Sequence, residues 1–280
     1  MIPVTSDRMC MRFWGVRGSI PTPCPENLGY GGNTACLEVR LPSGDICILD
    51  GGTGACPLGA ALMREMQGDP ISVHFFLTHF HWDHIQGIPF FSPLYGGDNH
   101  VTFYAHPSVE EIRETLEGQM TNPYFPVDFH FLSARRDFVS TEGREFSFGE
   151  TKLRTFALNH PQRAFGYRLQ HGSHSLVLAS DLEHGDPVFD EILHKEAAGA
   201  DVLIYDAQFT PEEYEMRRGW GHSTWKEATR VANECGVGKL ILSHHDPAHD
   251  DAMLEAILEQ ARKEFANTEL ATEGSRHEIG

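Results

Sequence analysis

Positive charge is scarce in this chain. Its 280 residues include 22 Lys or Arg against 40 Asp or Glu, a formal net charge of −18 at pH 7. No cluster of five or more basic residues breaks that balance. Such a surface repels a polyanion, so duplex nucleic acid is excluded as an expected partner. Long apolar runs are also missing. No stretch approaches the roughly 18 apolar residues of a membrane span, and the opening Met-Ile-Pro-Val-Thr-Ser-Asp-Arg has no apolar leader segment. No membrane association and a cytoplasmic location are the expectation. The six cysteines form no Cys-x-x-Cys pair, and Cys36 and Cys47 lie inside apolar strand-like runs, so reduced, buried thiols are expected. Repeats and low-complexity tracts are absent. Asp50-Gly51-Gly52-Thr53-Gly54 lacks the Gly-Lys-Ser/Thr ending of a phosphate-binding loop and reads as a tight strand-to-helix turn.

Residues rich in β-branched and aromatic side chains predict strands at about 10–16, 34–41, 45–50, 71–78, 101–105, 127–132, 152–158, 164–170, 174–180, 201–206 and 238–243. Helical periodicity falls at about 55–67, 108–119, 187–198, 222–235 and 250–266, the last with Met253, Leu254, Ile257, Leu258 and Ala261 on one face. Clustered strands with interspersed helices argue for a mixed α/β layered fold, not an all-parallel doubly wound one. One domain over residues 1–280 is expected, with a frayed tail from about Ala271.

Seventeen histidines are present, and their clustering carries the information. The strand ending at Leu77 runs into Thr78-His79-Phe80-His81-Trp82-Asp83-His84. In extended chain His79 and His81 project to the same side. Three imidazoles and a carboxylate within six residues exceed what one tetrahedral ion takes, which suggests two neighbouring divalent metals. Downstream, Asn159-His160-Pro161, Ala179-Ser180-Asp181 and Leu242-Ser243-His244 each stand where a predicted strand stops.

These motifs, in this order, resemble the metallo-β-lactamase superfamily. The resemblance implies a four-layer αββα sandwich. It also implies that His79, His81 and His160 hold one metal, that Asp83, His84 and His244 hold the other, and that Asp181 bridges them. Zinc is the first expectation and manganese the second. Two dications, two carboxylates and a bridging hydroxide leave a local charge of about +1, which suits a phosphodiester monoanion. Where His81 stands, the flavodiiron oxygen reductases would require Glu, so the site reads as hydrolytic. His245, Asp246, His249, Asp250 and Asp251 are better read as a helix cap and supports of a ligand than as a third metal site.

Asp201-Val-Leu-Ile-Tyr-Asp206 followed by Gly221-His222-Ser223-Thr224 is similar to the ribonuclease Z and cyclic-phosphodiesterase branch. The resemblance assigns catalytic roles to Asp83 and to the pair Asp206 and His222. His222 would protonate the leaving alkoxide; alternatively it opens the helix 222–235 with Ser223 as cap. Ribonuclease Z usually has Glu where Asp206 stands. Phe13–Pro21 and Tyr30–Thr34 also resemble this branch, which makes Arg17 and Asn33 candidates for substrate contact or for packing. Only twenty residues separate His160 from Asp181, which leaves no room there for the arm with which ribonuclease Z grips transfer RNA. The expected activity is hydrolysis of a small, possibly cyclic, phosphodiester by metal-bound hydroxide. Phe90, Phe91 and the segment 120–126 offer an aromatic wall for a base. Carboxyl ester, thioester or lactam hydrolysis, and a non-catalytic nucleotide sensor, are the competing readings. Relatives of this kind are often homodimers, but the sequence marks no interface.

Overall fold

The computed structural model describes residues 7–280; the first six, part of the stretch read for an apolar leader, lie outside them. Two seven-stranded sheets pack face to face. The first runs β14 (Arg276–Ile279), β1 (Met9–Gly15), β2 (Cys36–Arg40), β3 (Ile46–Leu49), β4 (Ser72–Phe76), β5 (His100–Ala105), β6 (Arg135–Ser140). The second runs β13 (Thr268–Leu270), β12 (Lys239–Ser243), β11 (Val202–Asp206), β10 (His174–Ala179), β9 (Ala164–His171), β8 (Thr151–Leu158), β7 (Glu145–Phe148). Each sheet is antiparallel at one end and parallel at the other, β3 to β6 and β10 to β13 being the parallel runs.

The central strands are apolar on both faces because both faces are covered. In β4, Phe76 points between the sheets while Val73 and Phe75 meet α1 (Ala55–Met66) and α3 (Val109–Gly118) outside. In β11, Val202 and Ile204 face the other sheet. Leu203 and Tyr205 face the layer of α4 (Pro187–Ala197), α6 (Trp225–Cys235) and α7 (Asp251–Glu264). The result is the expected four-layer αββα sandwich. Two further helices are single turns, α2 (Trp82–Ile85) and α5 (Pro211–Tyr214). No helix of the described residues is long and apolar enough to cross a membrane.

Three expectations are corrected. Residues 127–132 form no strand: the Asp128 carboxylate accepts from the His130 amide and closes a single 3-10 turn over Phe129–Phe131, and the strand follows at β6, whose charged edge hid it. The helix expected from His222 begins at Trp225, where the Thr224 hydroxyl, not Ser223, accepts from the Glu227 amide. The end of the chain is not frayed. Arg276–Ile279 pairs antiparallel with β1, and Ile279 is buried between the sheets. Glu273 also binds the amide and the side chain of Asn33. Single polar residues hid this anchoring because alternate positions, not the average, decide a strand's burial. Ile279→Ala is therefore expected to cost roughly 2–5 kcal/mol in urea unfolding; a frayed tail gives no change.

Candidate metal centre

The site lies beyond the carboxyl ends of the parallel strands, where open sheets present side chains to a common cleft. Asp50 follows β3, His79 follows β4 by three residues, His160 follows β8, and Asp181 and His244 follow β10 and β12. Asp206 closes β11. The backbone turns sharply at these ends: Asp50, Asp181 and His244 have φ of 63°, 61° and 61°. Non-glycine residues in this left-handed region cost of order 1–3 kcal/mol, and such strain collects at functional sites.

All seven expected ligands are brought together. Donor atoms of His79, His81 and His160 lie within 4.8 Å of one another, as do those of Asp83, His84, Asp181 and His244. The Asp181 carboxylate lies 3.9 Å from His79 Nε2, 3.1 Å from His84 Nε2 and 3.2 Å from His244 Nε2, so it stands between the two groups. Asp83 Oδ2 is 3.3 Å from both His84 Nε2 and His244 Nε2 and accepts the Ser19 amide at 2.7 Å.

Hydrogen bonds on the far side of each ring decide which imidazole nitrogen is offered inward. His79 Nδ1 meets Thr78 Oγ1, His84 Nδ1 meets Asp50, His160 Nδ1 meets the Gly221 carbonyl and His244 Nδ1 meets Gln208 Oε1. His81 is reversed, its Nε2 donating to Gln162 Oε1. In all five rings the outer nitrogen has a partner able to accept its proton, which turns the other nitrogen toward the cluster. The fit to a cation is most direct at His79, whose Nε2 is buried with no hydrogen-bond partner. A buried nitrogen left so costs about 1–3 kcal/mol unless something occupies it. A set of imidazole nitrogens and carboxylate oxygens matches borderline divalent metals.

The charges divide the cluster. Burial, helped by neighbouring imidazoles, pushes His79 below its usual value, and burial does the same to His160. Burial opposes charge on His84 and His244 too, but there the carboxylates prevail. His84 is raised by Asp181, Asp83 and Asp50, and His244 is raised to about 9 chiefly by Asp181 and Asp83. Against the same burial, the two imidazoles hold Asp83 and Asp181 below the carboxylate range. A dication entering this half displaces protons.

His222 stands beside the cluster. Its Nδ1 is 2.9 Å from Asp206 Oδ2, and its ring stacks on His244 at 4.9 Å between centroids and 22° between planes. Asp206 is fully buried and also accepts the amides of Asp181, Gln208 and Ser223. Although Asp181, Asp206, His222 and His244 form a third close group, four N–H donors already occupy the Asp206 carboxylate. It holds the His222 ring through Nδ1.

Other candidates are placed elsewhere. Arg17 is completely buried and donates to the carbonyls of Gly31, Asp246 and His249, and Asn33 is bound by Glu273, so both serve packing. Asp250 caps α7, His245 bonds the Ala271 carbonyl and His249 bonds Glu213. Phe91 is core, whereas Phe90 is exposed against Phe125 at 5.6 Å. Sequence reasoning missed the supports Asp50, Gln162, Gln208 and Glu183. Glu183 accepts the amides of Gly219 and Gly221 and so holds the carbonyl that orients His160. An acid just after a strand was the available signal for Asp50; the others had none.

A family profile described as beta-lactamase superfamily domain matches residues 63–245. The chain belongs to the metallo-β-lactamase superfamily. It is 26% identical to a ribonuclease Z of Bacillus cereus, covering 71% of this chain and 78% of that protein, which agrees with the branch resemblance. Among solved structures, the metallo-β-lactamase fold protein YhfI from Bacillus subtilis superposes with a TM-score of 0.74 at 20% identity, over 98% of this chain and all of that one. A diphosphatase of the PhnP family superposes at 0.68 and 18% identity, over 96% and 97%.

Two outcomes are expected for this superfamily member. Asp50→Asn should lower affinity for zinc roughly 10–100-fold in calorimetric titration, because His84 loses the negative charge behind the acceptor that orients it. Between pH 6 and 8 the apparent affinity should rise with pH, by about tenfold per unit for each proton displaced. The dependence of the binding heat on buffer ionisation measures that release.

Proposed function

We propose that the chain hydrolyses a small phosphodiester using two divalent cations, zinc first and manganese second. That it is a metal-dependent hydrolase follows from its family; the bond and the metal count are the finer reading. His79, His81 and His160 would hold one cation, Asp83, His84 and His244 the other, and Asp181 both. Such a pair polarises a phosphoryl oxygen and lowers the pKa of water toward neutrality.

The observation that carries the choice of phosphorus is the buried Asp206 behind His222, with the His222 ring stacked against His244 at the edge of the cluster. Asp206 accepts from Nδ1 and so fixes the ring, and Nε2 is the nitrogen left to hold a proton. In hydrolysis the oxygen of water forms a bond to phosphorus. The bond to the leaving alcohol breaks with its electron pair, and His222 supplies the proton that alcohol needs. A small substrate is favoured over RNA by the net charge of −18 and by the stretch between His160 and Asp181, which is taken up by β9, β10 and a tight turn. Relationship to ribonuclease Z keeps RNA as the second reading.

With zinc or manganese, the protein is expected to cleave bis(p-nitrophenyl) phosphate faster than a matched p-nitrophenyl carboxyl ester; the reverse order assigns it to acyl transfer. Asp181→Ala and His81→Ala should lose both metal and turnover. His222→Ala should slow release of an alkyl alcohol by about 10²–10⁴ and release of p-nitrophenolate far less, since the latter needs little protonation.

A further inference from the structure

Outside the cleft, α5, α6 and the last turn of α7 border a cavity of about 730 Å³, within the range of small-molecule sites, and no expected metal ligand lines it. Two of its wall residues hold the loop that carries His222. Tyr214 donates its hydroxyl to Glu183 at 2.9 Å, and Glu183 accepts the amides of Gly219 and Gly221. His184 Nδ1 lies 2.8 Å from Ser223 Oγ, and the Ser223 amide donates to the Asp206 carboxylate that fixes His222. The His184 and Tyr214 rings pack together at 4.4 Å between centroids.

Protons fix the direction of this chain. The buried Tyr205 hydroxyl has one partner among the described residues, Ser223 Oγ at 3.4 Å, so the phenol donates there. Ser223 then has its own proton for His184 Nδ1, and the imidazole carries its proton on Nε2. That nitrogen has no acceptor among the described residues, and the ring lines the cavity. His184 thus offers a free donor to an occupant.

Most of the wall's charge is already paired. Arg218 meets Glu215, and Arg230 meets Glu227 and Glu234. Lys226 has no ion pair among the described residues, in a chain where acids outnumber bases 40 to 22. It stands in the first turn of α6, the end at which a helix disfavours a cation. The one acid of the wall without a cation, Glu264, lies by Asn233 at the far end, about 10 Å along α6 from Lys226. The end near His184 is therefore left with an ammonium and an N–H donor and no free carboxylate.

We infer that this cavity is an effector site for a small organic anion, a carboxylate or a phosphate monoester, seated between Lys226 and His184. An anion that accepts from Nε2 makes Nδ1 a stronger acceptor for Ser223, which tightens the His222 loop against Asp206. Binding stands on its own; the consequence for turnover rests on proton delivery by His222 as proposed above.

The test titrates phenylphosphonate and benzoate into zinc-loaded protein labelled with 15N-histidine, the His184 signal being assigned through His184→Gln. A saturable shift of His184 Nε2 with a Kd of about 1 mM is expected for at least one probe, and the probe that gives it names the head group. Lys226→Gln should weaken it by about tenfold or more, and Lys226→Arg should keep most of it. Phenylphosphonate held at the cluster shifts the ligand imidazoles of both proteins alike. In turnover the probe should raise kcat/KM for an alkyl ester relative to a p-nitrophenyl ester by roughly fivefold in the wild type, and not in Lys226→Gln. Occupation of the cluster lowers both rates equally, so the ratio is an internal control. No His184 shift with either probe, or a shift of unchanged affinity in Lys226→Gln, overturns the site. Binding without a change in the ratio overturns its effector role. If no phosphodiester is cleaved, the phosphodiesterase reading fails, and the His184 shift still decides the site.

Discussion

Two carboxylates, Asp83 and Asp181, are buried within about 3 Å of the same two imidazole nitrogens. Removing such charge from water costs several kcal/mol per ion unless opposite charge is supplied on the spot. Here His84 and His244 supply it, and each is held by an acceptor behind it, Asp50 and Gln208. This balance explains why six strand ends must arrive at one edge in register. A slip at the end of β12 would take His244 from both carboxylates.

The fold serves that meeting. The parallel runs of both sheets aim their carboxyl ends at a shared cleft, while the two outer helix layers let the central strands be apolar on both faces. The strands are therefore pinned by packing before any polar side chain is placed. Asp206, with four N–H donors around its carboxylate, links the Asp181 turn, the Gln208 loop and the His222 loop, so the group beside the cluster moves with the cluster.

Much of this was legible in the sequence. The motif over His79–His84 and the single His160, Asp181 and His244 stood at the ends of apolar strands, and a strand end is a place that periodicity finds. What could not be read depends on contacts across the chain. Gln162 and Gln208 support ligands through amide groups that look like any surface glutamine until the rings they meet are known. Arg17 stood open between substrate contact and packing on resemblance alone; its burial and its bonds to three carbonyls, two of them more than 200 residues away in the chain, are contacts that only the folded chain brings together. Residues 127–132 alternate like a strand, yet a local side-chain bond from Asp128 won over that pattern. The last residues were polar on average, which hid the apolar side of β14.

The left-handed turns at Asp50, Asp181 and His244 have a further consequence. Glycine would relax each of those backbones, yet it would also strip a buried neighbour of a close partner in charge or hydrogen bonding. The strain in the three turns and the polar contacts of their side chains are therefore bound together, and neither can be relieved without disturbing the other.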